Sequence, residues 1–545
     1  MKNYIEFVKR ESGGRISATL VIMTITAGIA NGLAVATAII AAGTLKEGEL
    51  HFRTFLLFCS LMALFCLSKR YSMNESIKIV EESMKRVRFR ILKKLRTSNL
   101  LNLESIDKGI FFSALASDAS TISQSTSMAI NAVSSTVMLI FIIIYIAFMS
   151  LKALFITIAI ITFMVLMYLS NEKKVAAAFE ESVKCENRFM DNLRGLLDGF
   201  KELKLNRKKY IDFDKSELSP VIDASKQHRI DAGLRLNVTI LLAQTFLLIS
   251  IGGLLFILPQ IDQSQIPLIP RLIALIIFSA TPISDFAMAI PAVSKAEASI
   301  NNIHTLEALI DIGQSRVEQL CEEQPIKELK WDKIVLDKVF FQFPERDNSR
   351  PFSIGPIDVE FHKGEIVFII GGNGSGKSTF LKVLTSLYAP TSGRILLDDT
   401  EVTPYNKASY RNLFSAIFTD YYLFKRLLGI DYPDNELISY LLDKMELSHK
   451  TSIENGVITS LDLSTGQKKR LALIISILED KPIMIFDEWA ADQDPTFRKF
   501  FYDVLLQELK AKGKTIIAVT HDDRYFYAAD KIYKMEYGKF IPFEL

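Results

Sequence analysis

Cysteine is scarce in this chain of 545 residues: Cys59, Cys66, Cys185 and Cys321 are scattered without the spacing of a metal site or a disulfide framework. They read as packing residues. An excess of one charge is missing too. The 64 Lys+Arg and 62 Asp+Glu leave a net charge of +2, which gives no pointer to nucleic acid as a partner. The N-terminus lacks a small-residue cleavage site after a short apolar core, so its first apolar stretch reads as a retained span and not a signal peptide. Hydrophobicity, by contrast, is plentiful. Hydrophobic residues make up 49% of a chain long enough for several domains, and this implies a membrane part.

Six apolar segments precede residue 300: Ile16–Gly43, Thr54–Ser68 (extending to Ser72), Thr126–Met149, Ala153–Ser170, Leu236–Leu258 and Leu272–Val293. Most approach or exceed the roughly 20 residues a helix needs to cross the hydrocarbon core. The second is the shortest apolar core. Short connections alternate with two long ones, 69–125 and 171–234, which carry 11 and 13 Lys+Arg against four in the three short loops together. The positive-inside tendency puts both long loops and both termini in the cytoplasm. Glu75–Leu95 and Val175–Leu197 mix charged and apolar residues at helical spacing, as helices continuing from the bilayer into a stalk would. Their turns, near Leu101–Phe112 and Gly199–Tyr210, would then either dock on a second domain or present a solvated face. Asp285, Gln244, Asn131 and Asn31 lie within spans. For Asp285, between Pro282 and Pro291, the alternatives are a cargo-facing role and a helix-packing or interfacial position.

From about Lys327 the pattern changes to alternating strand and helix, the look of an α/β domain. The polar stretch 311–328 reads as a linker between a helical membrane domain, 1–310, and this second domain, 329–545. The apolar run Ile366–Ile370 is followed by Gly371, Gly372, Asn373, Gly374, Ser375, Gly376, Lys377 and Ser378, the spacing of a phosphate-binding loop, with Thr379 opening the helix. Glycines let the backbone curl so that its N–H groups point at a polyphosphate. Lys377 would reach the β and γ phosphates, and Ser378 would offer a hydroxyl to Mg²⁺.

Four further signals follow. Ile483–Phe486 leads into Asp487 and Glu488, a buried strand ending in two carboxylates; Asp487 would hold Mg²⁺ and Glu488 would polarise an attacking water. Leu463-Ser464-Thr465-Gly466-Gln467 stands at a helix start, which suits a phosphate or simply a cap. His521 ends the strand Thr515–Val519, where it would bond a γ-phosphate or serve packing. Asp492-Gln493-Asp494-Pro495 is a polar turn placed to reach a second subunit.

Together these residues resemble the ATP-binding cassette (ABC) transporter family over essentially the whole chain. The resemblance implies a multidomain fold, an all-α six-helix transmembrane domain with cytoplasmic helical extensions followed by an α/β P-loop NTPase domain. It makes 371–378 the Walker A loop, Asp487 the Walker B aspartate and Glu488 the catalytic glutamate. Residues 463–467 become the signature, Asp494 the D-loop aspartate, His521 the switch histidine and Phe343 the aromatic that stacks on adenine. ATP and Mg²⁺ are the implied cofactors. In this family the signature of one subunit closes over ATP held by another, so one cassette per chain implies a dimer, and the complete cassette favours a homodimer over a heterodimer.

Two departures stand out. Thr419 occupies the position where the family places a glutamine, so that residue's part in sensing Mg²⁺ and contacting the stalk is not carried over. Only 43 residues separate Thr419 from Leu463, which leaves a small helical lobe. The stretches 414–418, 486–495 and 199–204 resemble the cyclic-peptide and siderophore exporter branch, and Trp489-Ala490-Ala491-Asp492 is the most distinctive of them. That resemblance implies export of a peptide-like cargo from the cytoplasm across a bacterial inner membrane, with the bilayer, the cargo and periplasmic or outer-membrane export components as partners. A lipid or lipopeptide flippase and a nucleotide-gated regulator that moves nothing are the alternatives.

Overall fold

The computed structural model describes residues 2–11, 18–44, 52–312, 329–344, 351–430 and 434–543. Residues 313–328 of the expected linker, Cys321, and Ile16 and Ser17 of the first span lie outside the described residues. The chain separates into two compact units. One comprises Met1–Leu92 with Asp107–Ala308, the other Lys93–Ile106 with Leu309–Leu545.

The first unit is helical. Its long elements are Ala18–Thr44, Phe52–Thr97 (whose last residues belong to the second unit), Ala119–Met149, Leu151–Asp198, Ser219–Gly252 and Ala280–Ile312. Among the described residues, five stretches are long and apolar enough to cross a membrane: Ala18–Ala42, Phe52–Thr97, Lys108–Met149, Gln244–Ile261 and Gln263–Ile312. The fourth apolar segment contributes the shorter apolar stretch Leu151–Phe163 within a 48-residue helix. Large apolar side chains such as Ile22, Phe55, Phe148, Phe155 and Leu248 point outward, an arrangement suited to lipid and costly in water.

Local chemistry sets several boundaries. Ser150 turns extended at φ −160° and its Oγ accepts from the Ala153 N–H (3.2 Å), ending one helix and capping the next. The sixth segment is broken into Ile269–Phe278 and Ala280–Ile312. Pro282, four residues after Phe278, has no N–H to offer that carbonyl, so the helix restarts there. A short N-terminal helix, Lys2–Glu11, buries Tyr4, Phe7 and Glu11 on one face. Tyr4 hydrogen-bonds Thr126 (2.5 Å), and Glu11 joins Arg90 (2.8 Å), which also holds Glu307 (2.7 Å). Burial pushes the Glu11 carboxyl up, but the bonds and charges of Arg90 and Arg10 outweigh it and hold it below its ordinary range.

The second unit contains two main sheets. β1 (Lys333–Gln342), β2 (Ser353–His362), β4 (Ser392–Leu397) and β5 (Thr400–Glu401) form an antiparallel sheet in the order β2-β1-β4-β5. The six-stranded sheet is built from β3 (Ile366–Ile370), β6 (Phe414–Ile417), β9 (Ile483–Asp487), β10 (Thr515–Val519), β11 (Lys531–Glu536) and β12 (Lys539–Pro542). Its order is β12-β11-β3-β10-β9-β6, all parallel except the edge strand β12. A small hairpin, β7 (Ile453–Glu454) and β8 (Val457–Ile458), stands apart.

Every residue of β3, β9 and β10 is buried, as strands covered on both faces require. Alternation divides them between two cores. Ile366, Phe368, Met484, Phe486, Ile516 and Ala518 face one, and Val367, Ile369, Ile483, Ile485, Ile517 and Val519 face the other.

Candidate functional site

The sheet order explains why distant motifs meet. β10 lies between β3 and β9, and all three run parallel, so their C-terminal ends share one edge. The loop 371–376 leaves β3 there, Asp487 ends β9 there, and Thr520 and His521 follow β10 there. Crevices outside the carboxyl ends of parallel strands are where such sheets bind ligands.

The loop after β3 is shaped for an anion. Gly376 sits at φ 106°, just before the helix Lys377–Leu384, and a Cβ on it would fall 2.7 Å from Ile354 Cγ2. A Cβ on Gly371 would come within 2.3 Å of the Met535 carbonyl oxygen. Only glycine fits either place. Lys377 is buried, and its Nζ donates to the carbonyls of Gly371 and Gly372, both at 3.0 Å. Burial lowers its pKa, opposed by the carboxylates of Glu488 and Asp487. Together with Phe352, Asn373, Gly374, Ser378, Thr379 and Glu488, it lines a cavity of about 360 Å³.

Two polar side chains here are orphaned. Ser375 Oγ and both carboxylate oxygens of Asp487 are buried without a hydrogen-bond partner among the described residues. Burial raises the Asp487 pKa; the Ser378 hydroxyl, Lys377 and the Thr419 N–H oppose the shift, while the Glu488 charge adds to it. A buried, unpaired carboxylate beside a hydroxyl is a set of hard oxygen donors that fits Mg²⁺, whose remaining ligands would be phosphate and water. Glu488 points its Oε1 at His521 Nε2 (3.1 Å) and lies 3.9 Å from Lys377 Nζ. The pair can hold a water and pass its proton.

The signature segment is elsewhere. Ser464 caps the helix Thr465–Leu478, its Oγ accepting from the Gln467 N–H (3.3 Å) while Gln467 Oε1 accepts from the Ser464 N–H (3.0 Å). Ser464, Gly466, Gln467, Arg470 and Asp494 help line a cavity of about 900 Å³ that shares no lining residue with the phosphate-loop cavity. Asp494 caps the helix Pro495–Phe500 through the Phe497 N–H (2.9 Å) and pairs with Arg470 (2.6 Å). The Phe497 N–H leads in lowering its pKa, helped by the Arg470 charge.

Among the aromatics, Phe352 reaches the phosphate-loop cavity, and Phe343 stands behind it with ring centroids 6.3 Å apart. Phe352 went unnoticed in the sequence because it carries no motif; only the return of β2 beside the loop places it.

Residues 354–491 match the family profile described as ABC transporter. The ATP-binding protein SyrD of Pseudomonas syringae pv. syringae is 35% identical over 402 residues, covering 72% of this chain and 71% of the relative. The chain belongs to the ABC transporters. An ATP-dependent lipid A-core flippase of Pectobacterium atrosepticum is 31% identical over 254 residues, 44% of this chain and 41% of that protein. Among solved structures, a bacterial Atm1-family ABC exporter with ATP bound superposes with a TM-score of 0.73 at 16% identity, covering 98% of this chain and 94% of that one. This ABC transporter is thus a multi-pass membrane protein of exporter architecture, with an ATPase that binds and hydrolyses ATP to drive transport.

In the transporter's helical unit, Asp285 Oδ2 accepts from Ser135 Oγ (2.7 Å), a bond between two long helices. An apolar cavity of about 460 Å³ lies nearby, lined in part by Thr24, Val80, Thr126, Phe286 and Ala289, but not by Asp285.

Proposed function

We propose that two copies of this chain form an exporter in a bacterial inner membrane that moves a small peptide-like cargo out of the cytoplasm. The cargo class is a cyclic or non-ribosomal peptide or a siderophore precursor. Residues 1–310 serve as the membrane domain, 311–328 as the linker and 329–545 as the cassette, with both termini in the cytoplasm.

One observation carries the dimer. Signature residues and phosphate loop line separate cavities in one chain, so a complete ATP site needs the signature of a second copy. In that sandwich, residues 371–379 hold the phosphates, Ser378 and Asp487 hold Mg²⁺, and Ser464, Gly466, Gln467 and Asp494 close from the partner. Phe343 and Phe352 flank the base. Mg²⁺ held by Ser378 and Asp487 would supply charge neutralisation at the phosphates. Glu488 orients the attacking water and His521 steadies the carboxylate. ATP drives the change because it binds the closed dimer better than the open one.

The cargo class rests on the likeness of 414–418, 486–495 and 199–204 to peptide and siderophore exporters. Glu488→Gln is expected to bind ATP and hydrolyse it at least about 100-fold more slowly. In culture medium, mass spectrometry should then show a peptide or siderophore lost from the medium and accumulating in the cells, as in a gene deletion. Unchanged secreted molecules would sink the cargo reading. Relatives named as lipid A-core flippases support a second reading, lipid flipping, which altered envelope lipids with unchanged secretion would favour.

A further inference from the structure

Glu488 occupies an unusual backbone position, with φ 51° and ψ 36°. A residue with a Cβ enters this left-handed region only when its surroundings impose it. Its N–H is held by the Val519 carbonyl (3.2 Å), which anchors it to β10. Its carbonyl is held from another element. Lys469, inside the helix Thr465–Leu478 and only 4% exposed, donates from Nζ to the Glu488 carbonyl (2.8 Å) and pairs with Asp492 Oδ2 (2.8 Å).

A bond returns in the opposite direction. The indole Nε1 of Trp489 donates to the Lys469 carbonyl (2.8 Å). That indole is fully buried, with its ring 4.4 Å from Phe501 and 6.3 Å from Phe497. Each element thus has a side chain bonded to the other's backbone. Neither Lys469 nor Trp489 lines the phosphate-loop cavity.

We propose that Lys469 and Trp489 are positioning residues: they hold Glu488 in its left-handed conformation and so tie the signature helix to the catalytic glutamate of the same chain. The inference rests on the reading of Glu488 as the hydrolytic base. In the dimer, the signature helix attends one ATP and Glu488 the other, so this tie links the two sites. The Lys469 ammonium holds the Glu488 carbonyl and keeps its carboxylate on His521 and near Lys377, so a change at the signature helix reaches that carboxylate.

The test measures steady-state ATPase of the full-length protein in detergent or nanodiscs. Lys469→Met removes the ammonium and keeps the stem; Trp489→Phe removes the N–H and keeps a ring. Each is expected to lower kcat about 10- to 100-fold, as small misplacements of reacting groups do, with KM for ATP little changed. Lys469→Arg, which keeps a donor, should restore much of the rate.

The deciding comparison uses the Glu488→Gln background. There the same changes should leave the residual rate unmoved, because the carboxylate they position is gone. Equal fold losses in both backgrounds would mean a merely structural role and overturn the proposal. Wild-type kcat in both Lys469→Met and Trp489→Phe, alongside slow turnover by Glu488→Gln, would remove the positioning role alone. Normal turnover by Glu488→Gln would remove the base assignment and the positioning role together.

Discussion

Asp487 is buried, and neither of its carboxylate oxygens has a hydrogen-bond partner among the described residues, a costly state that a cation sharing the site would relieve. Asp487→Asn should therefore have opposite effects on stability and activity. Removing a buried charge that Lys377 and its neighbours compensate only in part is expected to stabilise the nucleotide-free protein by about 1–3 kcal/mol, read as a higher Tm. ATP hydrolysis should fall to background, since the neutral amide binds Mg²⁺ poorly. The sign with pH follows from the raised pKa. The stabilisation is full above the folded-state pKa and disappears as pH falls toward the ordinary carboxylate range, where Asp487 itself is protonated. An unchanged Tm at neutral pH would argue against the buried charge. Asp487 and Glu488 were legible as a pair from a buried strand ending in carboxylates. Their separate tasks were legible too, since adjacent residues point in different directions at a strand end; the left-handed backbone at Glu488 was not, because it depends on bonds to Val519 and Lys469 that spacing does not show.

Elements in the helical unit meet through glycine. Gly28 and Gly32 lie one helical turn apart on Ala18–Thr44, where the helix meets Ala119–Met149. A Cβ on Gly28 would fall 2.7 Å from the Ser134 carbonyl oxygen and 2.7 Å from Val137 Cβ. Small residues at such a crossing let two backbones approach closely, as packing in lipid favours. Gly28→Ala is expected to cost about 1–3 kcal/mol by overpacking, seen as a lower Tm in detergent. Gly233→Ala is the control. There an added Cβ meets nothing, and the helix should gain about 0.5–1 kcal/mol. Equal shifts for both would dismiss the close crossing. Hydropathy marked apolar stretches on both of these helices, since a span must be apolar along its length. It missed the break at Phe278, which a single proline decides within an apolar run, and it had no means of pairing Gly28 with Ser134.

At the scale of the whole molecule, the chain passes from one unit to the other and back around residues 93–106. This segment carries the helix Leu100–Ser105, whose Leu100 and Leu101 pack on the core that holds Phe341 and Tyr388. Glu104 pairs with Lys382 (2.8 Å) and accepts from the Tyr388 hydroxyl. Burial, with Glu104 adding to it, pushes the Tyr388 pKa up to about 12. Lys382 sits on the helix that begins with Lys377 and Ser378, so within this unit Glu104 is bonded to the helix that follows the phosphate loop. Because Glu104 is partly exposed, the pair contributes under about 1 kcal/mol to stability. Glu104→Lys should hardly move Tm, yet weaken the coupling of ATPase to cargo by about 0.5–2 kcal/mol, a several-fold loss of cargo-stimulated rate. Adding Lys382→Glu should restore it. If the double exchange is no better than the single one, the ion pair carries no coupling.

The sequence by itself determined apolar spans ahead of a phosphate-binding loop with its lysine and carboxylates, because hydrocarbon thickness sets a length of apolar residues and polyphosphate demands glycine, lysine and carboxylate at set spacings; the ABC family followed from what those motifs resemble. Only the tertiary structure decided which residues meet. β10, inserted between β3 and β9, gathers the ATP residues at one edge. The signature opens into a separate cavity, and Lys469 reaches back to Glu488 from a helix whose residue numbers give no hint of the contact. Such meetings depend on strand order and on close packing, which bring together residues that spacing along the chain does not relate.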